Sequence, residues 1–138
     1  MKFLLFSCVL LFSLFVQAQS IEGVWLTYED GVLQSEIKLF EKNNKIYGEI
    51  IAIHNPDDGN YDPICTTCSG KYKNKPLKGM TIILGLEKEE DEWYADNGVY
   101  HPDNDDYYDV RMWLESKNKL ALRGYLGWFY ETQYWVRK

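Results

Sequence analysis

The sequence predicts an all-β protein: a single antiparallel up-and-down β-barrel of about eight to nine strands. Three observations carry this reading. Beyond residue 18 no segment sustains helical periodicity over ten residues, whereas short alternating runs of apolar and polar residues recur. Turn residues separate the runs at short intervals, and short connections imply antiparallel neighbours, since a parallel crossover needs about a dozen residues. Closing such a meander removes its exposed edges, which favours a barrel over an open sandwich.

The elements follow in chain order. Gly23 to Tyr28 makes the first strand and ends at a turn, Asp30-Gly31. Ser35 to Lys42 alternates Glu36, Lys38 and Phe40 against Ile37 and Leu39. Asn43-Asn44 signals a tight hairpin, because Asn tolerates the left-handed backbone that such turns demand. The return strand runs from Lys45 to about Ile53. Residues 55–76 hold three Pro, two Gly and two Cys, and read as one long irregular loop. Met80 to Leu86 is nearly all apolar, as in a strand covered on both faces or at a barrel's tight side. Glu87 to Glu92 reads as a charged turn, followed by two short extended pieces, Trp93-Tyr94 and Gly98 to Tyr100. His101 to Asp106 turns the chain. Tyr107 to Glu115 then alternates Tyr108, Val110, Met112 and Leu114 against Tyr107, Asp109, Arg111 and Trp113. After a turn at Lys117-Asn118-Lys119, the strands Leu120 to Leu126 and Glu131 to Arg137 complete the set.

A length of 138 residues allows one domain. The apolar fraction of 46% excludes disorder, but it mixes two objects. Residues 3–16 are uncharged and almost wholly apolar, preceded by Lys2 and followed by the small-residue site Val16-Gln17-Ala18. That is the layout of a secretory signal peptide over residues 1–18; a membrane anchor would need about 18 apolar residues. Cys8 lies inside the apolar run behind bulky Phe6, which does not fit a lipid-attachment site. Cleavage after Ala18 leaves a domain of 120 residues, 19–138, and the loss of Lys2 takes the net charge from −6 to −7. Four of the six Phe leave with the signal, while all five Trp and eleven Tyr remain. The expected product is a monomeric, periplasmic or secreted barrel with no integral membrane span. Its acidity argues against nucleic acid and anionic membrane surfaces as partners.

Cys65 and Cys68 are the mature cysteines, in Cys-Thr-Thr-Cys. A single pair does not make a four-cysteine zinc site. In an oxidising compartment it reads as a short structural disulfide. A redox motif would place the first Cys at a helix N-terminus after a strand, and these flanks read as loop. Metal binding with His54 or His101 is the other alternative.

Gly23-Val24-Trp25 at the mature start resembles the Gly-x-Trp signature of calycin barrels, the lipocalins and their relatives. The resemblance implies that Trp25 plugs one end of the barrel under a basic residue from a late strand, here Arg137 or Arg123. A wider set of motifs looks like domain of unknown function 2147, small exported bacterial proteins with no assigned activity. It comprises Gly-x-Trp, Lys45 to Ile50, Cys65-x-x-Cys68, Leu77-Lys78-Gly79-Met80, Tyr107 ahead of the Arg111 strand, Leu122 to Gly127, and Gln133 to Arg137. One departure is visible: Asp103-Asn104-Asp105-Asp106 stands where that family usually has a Gly-containing turn.

The excess of Tyr and Trp is the main functional signal. Tyr28, Tyr47, Tyr108, Trp113 and Tyr125, together with Arg111 and Arg123, are candidate ligand-binding residues. An Arg on an inward face would need a ligand carboxylate or an acid, such as Asp109 or Glu49. The alternative is that the aromatic residues simply fill a small barrel. On the strand of Arg123 one face is apolar, Leu120, Leu122 and Leu126, and the sequence leaves open which face lines the barrel. The acidic turns fail the calcium-loop pattern, since Asp103 to Tyr108 has Tyr in a ligand slot and Tyr at the Gly position. No Ser/His/Asp or His-Glu-x-x-His pattern points to catalysis, no catalytic or metal-ligating residue is assigned, and no cofactor is called for. The first expectation is non-enzymatic binding of a small, partly apolar ligand. The second is a side-chain-filled barrel that contacts an envelope protein. An enzyme, or a redox role for the cysteine loop, ranks third.

Overall fold

A computed structural model describes residues 19–138; the expected signal segment, residues 1–18, lies outside them. Eight strands follow one another: Gly23–Glu29 (β1), Val32–Lys42 (β2), Lys45–Ile53 (β3), Thr81–Glu89 (β4), Glu92–His101 (β5), Asp106–Ser116 (β6), Lys119–Leu126 (β7) and Phe129–Arg137 (β8). Each pairs antiparallel with its chain neighbour, and β1 pairs with β8, so the order around the closed barrel is the order in sequence. Among the described residues no helix is long and apolar enough to cross a membrane.

Local chemistry explains the joints. Asn43 and Asn44 have φ of 53° and 61°, as a two-residue turn between right-twisted strands requires. The charged segment 87–92 is mostly strand. Its turn is confined to Glu90-Asp91, because Glu87, Lys88 and Glu89 pair with Tyr94, Trp93 and Glu92 at an exposed end where charge costs nothing. The two short pieces after it are one strand, β5, whose register shifts between Ala95 and Val99. That irregularity mimics a turn in sequence. Gly48 on β3 reflects close packing: a Cβ there would lie 2.7 Å from Ile83 Cγ1 and 2.9 Å from Leu39 Cδ2.

One end of the barrel is shut. Trp25 is fully buried and its Nε1–H donates to Ile21 O at 2.8 Å. The Arg137 guanidinium lies 4.3 Å from the Trp25 ring centroid. It donates from Nη1 to Glu22 O, from Nη2 to Ser20 O and from Nε to Lys117 O, all within 2.8–2.9 Å. Gly23 is required beside it: φ is +123°, and a Cβ would sit 3.1 Å from Arg137 Nη1. Above this floor Ile37, Leu39, Ile83, Leu86, Val110, Met112 and Leu120 form the buried core.

The β3–β4 connection folds over one side of the other end. Cys65 and Cys68 form a disulfide, with Cα atoms 5.5 Å apart. Backbone bonds from Cys65 N to Lys75 O, Asn74 N to Cys65 O and Leu77 N to Pro63 O close the loop on itself. Thr67 Oγ1 donates to Pro102 O at 2.8 Å, and Asp105 accepts from Ser69 N and the Tyr100 hydroxyl. The acidic 103–106 turn thus holds this loop. The Ser69 contacts, with the Tyr100 hydrogen bond, keep the Asp105 carboxyl below its usual range. Burial, with the Asp105 bond second, pushes the Tyr100 hydroxyl up to about 12.

On the outer wall Glu36 is nearly buried between Lys138 and His54. The Lys138 hydrogen bond holds its carboxyl below the ordinary value of 4.5, against the opposing pull of burial. A carboxyl lowered by folding stabilises the protein above its unfolded value and ceases to do so as pH falls through the folded one. Lys138→Met should therefore reduce urea stability at pH 7, with the gap to wild type closing as the pH drops below 4.5. A gap that stays constant down to acid unfolding would rule out the linkage. At the shut end, Trp25→Ala should cost about 3–5 kcal/mol. Arg137→Lys, which keeps the charge and loses the fork, should cost roughly 1.5–3 kcal/mol. Near-wild-type urea midpoints for both would remove this contact from its structural role.

Candidate functional site

Strand parity decides what reaches the interior. Side chains alternate between faces, so the inward positions on β7 are Leu120, Leu122, Gly124 and Leu126, and those on β8 include Gln133 and Trp135. The connections β1–β2, β3–β4, β5–β6 and β7–β8 all lie at the end opposite Trp25. There the barrel holds a cavity of about 370 Å³. Ile37, Ile50, Leu77, Ile82, Val99 and Leu122 supply its apolar wall. Thr27, Ser35, Gln133, His101, Asn104 and Tyr108 supply polar groups, and Asp103 and Glu131 supply carboxylates.

The polar groups have a recognisable layout. Thr27 and Ser35 share a hydrogen bond between hydroxyls of 2.6 Å. Tyr108 accepts from Asn104 Nδ2 at 3.2 Å, and its ring meets His101 edge-on at 6.5 Å. The indole Nε1–H of Trp135 and Nδ1 of His101 are buried without a protein partner, an arrangement that native structures rarely leave. β1 and β8 pair at Trp25↔Arg137 and Leu26↔Val136, so the wall is held mainly near the floor. Leu126, Trp128, Phe129 and Tyr130, around the β7–β8 turn at the open end, are exposed, Trp128 by 94%.

Of the seven residues expected to bind ligand, Tyr108 lines this cavity. Arg111, Trp113, Arg123 and Tyr125 alternate with Val110, Met112, Leu122 and Gly124, which puts them on the outer wall. Cross-strand register then stacks them: Tyr94 faces Arg111, Arg111 faces Arg123, and Arg123 faces Thr132. The Arg123 guanidinium lies 5.0 Å from the Trp113 centroid and 4.3 Å from that of Tyr130, and Nε donates to Thr132 Oγ1. Arg123 therefore does not reach the Trp25 plug, where Arg137 lies. Arg111 pairs with Glu92 at 2.7 Å and Glu89 at 3.6 Å, rather than with Asp109 or Glu49, and covers the Tyr94 ring. The Glu92 hydrogen bond raises the Arg111 pKa further. The Tyr94 hydroxyl, bonded to Asp96, is pushed up to about 12, that bond being the main cause.

Tyr125 lies tilted against Tyr130 at 6.2 Å, and Tyr47 packs on Phe40 at 6.0 Å beside Gly85. Tyr28 is 46% exposed, just past a register shift at Thr27/Tyr28. An aromatic ring on a strand is amphipathic, so its type alone does not tell inside from outside. The cavity residues that sequence reasoning passed over are the apolar wall, Ile37, Ile50, Val99 and Leu122 among it, and small or polar residues such as Thr27, Ser35, Gly124 and Gln133. The available signal was parity. Taking Leu122 as inward would have placed Gly124 and Leu126 with it.

No curated protein matches the chain. A similar solved structure is described as "Protein HP1028 from the human pathogen Helicobacter pylori belongs to the lipocalin family". It has a TM-score of 0.71 and 22% identity, over 86% of this chain and 83% of that one. At that identity the likeness is one of fold, a lipocalin-like barrel. Residues 23–137 match the family described as "Uncharacterized protein conserved in bacteria (DUF2147)", and the chain, with its Gly23-x-Trp25 floor and eight-stranded barrel, belongs to that family.

Proposed function

We propose that this protein is an exported, non-enzymatic binding protein that takes a small, partly apolar ligand into the open end of its barrel. The cavity carries the proposal. Its volume of about 370 Å³ lies within the range of ligand pockets, and an apolar wall with a few convergent polar groups is their usual lining. The ligand-contacting set we assign is Tyr108 with Thr27, Ser35, Leu122 and Gln133, in place of the outer-wall residues. Residues 1–18 act as the signal peptide and 19–138 as the monomeric mature domain, in the periplasm or outside the cell. The Cys65–Cys68 disulfide supports that assignment, because such bonds persist in oxidising compartments.

A second reading has an observation of its own. The exposed Leu126, Trp128, Phe129 and Tyr130 make an apolar tip that suits contact with an envelope protein. Native mass spectrometry of the full-length gene product, purified from the periplasm, separates the two. A chain lacking residues 1–18 and carrying a small molecule is the expected result. A bare mass with a reproducible protein partner would replace the first reading by the second.

Gly124 offers a sharper handle. It lines the cavity, and a Cβ added there meets nothing within 4 Å. Gly124→Leu should fill the space, leave the melting temperature unchanged or higher, and weaken N-phenyl-1-naphthylamine binding at least tenfold. Wild-type dye affinity in a folded Gly124→Leu protein would place the dye elsewhere and remove the cavity from the proposal.

A further inference from the structure

The charges around the cavity are one-sided. The chain has three arginines, and each is committed elsewhere. Arg137 lies beneath the floor, its three nitrogens bonded to backbone carbonyls. Arg111 and Arg123 sit on the outer wall, one paired with Glu92 and Glu89, the other set against Trp113 and Tyr130. Among the described residues no lysine lines the cavity, whereas Glu131 and Asp103 do. A carboxylate or phosphate brought to this rim would meet two like charges on exposed residues, with no guanidinium fork to receive it.

From this, and resting on the ligand-binding reading above, we infer that the ligand is an amphiphile whose polar end carries no negative charge and is favoured by a positive one. Its apolar part lies against Ile37, Ile50, Val99 and Leu122. Its polar end lies toward Glu131 and Asp103, where an ammonium finds two carboxylates and a hydroxyl finds uncharged partners. The fatty-acid carboxylate that an inward Arg111 or Arg123 would have received is excluded as ligand. At pH 8 an alkylammonium and a carboxylate are both fully charged, so the comparison is made there.

The test is displacement of N-phenyl-1-naphthylamine from the wild-type protein at pH 8 by octylamine, 1-octanol and octanoate, which share one chain and differ in charge. The expected order is octylamine, then 1-octanol, then octanoate, with about tenfold between the first and last at low salt. In 0.5 M NaCl that gap should narrow while the 1-octanol value holds. Glu131→Gln with Asp103→Asn should weaken octylamine alone. Octanoate binding as tightly as octylamine, while 1-octanol still binds, would overturn the inference and leave the ligand-binding reading standing. If neither the dye nor any of the three binds, the reading itself falls, and this inference with it. The wild-type series needs no variant, so it decides the matter even where the double substitution misfolds.

Discussion

The closure of the barrel depends on one side chain. Arg137 gathers three backbone carbonyls from two distant parts of the chain, Ser20 and Glu22 before β1 and Lys117 between β6 and β7. Its flat face covers the Trp25 ring. β1 and β8 contribute pairs at two positions beside it, so the ladder by itself is a short seam. A guanidinium suits this place because its donors lie in one plane and its faces are weakly hydrated, which lets it bond at the edge and stack at the same time. Gly23 belongs to the same unit, since any side chain there would press on the guanidinium. The Gly-x-Trp motif and the terminal Arg are therefore two halves of one contact.

Shutting one end leaves the other to vary. The four connections at the open end include the long β3–β4 loop, and that loop is held by its own disulfide, by a short bridge at Ile64 and Pro76, and by the 102–105 turn. Such an arrangement places irregular backbone around the mouth while every strand below stays paired. The floor shuts one end of the barrel, and the loops frame the cavity at the other. It also explains why the acid-rich turn matters: Asp105 accepts from the loop backbone and from Tyr100, while its neighbour Asp103 lines the mouth.

The outer wall has its own logic. Tyr94, Arg111, Arg123 and Thr132 form one cross-strand row, with Trp113, Tyr125 and Tyr130 alongside. Cations over aromatic faces satisfy both partners without burial, and the row resembles a binding surface in composition while being satisfied by itself. Residue types that mark ligand sites when convergent in a pocket mark a stiff solvent face when they alternate with Val110, Met112 and Leu122. This is why most of the aromatic and Arg residues that stand out in the sequence lie on the outer wall and not in the cavity. The charged 87–92 segment misled for a related reason. Pairing across an exposed hairpin tolerates Glu and Lys, whereas the local pattern reads them as a break.

The sequence by itself determined the strand periodicity, the Asn43-Asn44 hairpin, the paired cysteines and the family motifs, because each is a property of a few adjacent residues. It determined that the strands of Leu122 and Val110 have one apolar face. Which face turns inward was decided in three dimensions, by the closure of β1 onto β8 around Arg137 and Trp25. The cavity is likewise a tertiary fact. It is lined by small residues from separate strands, the paired neighbours Thr27 and Ser35 and, on β7, Gly124, and no local pattern records that they share one space.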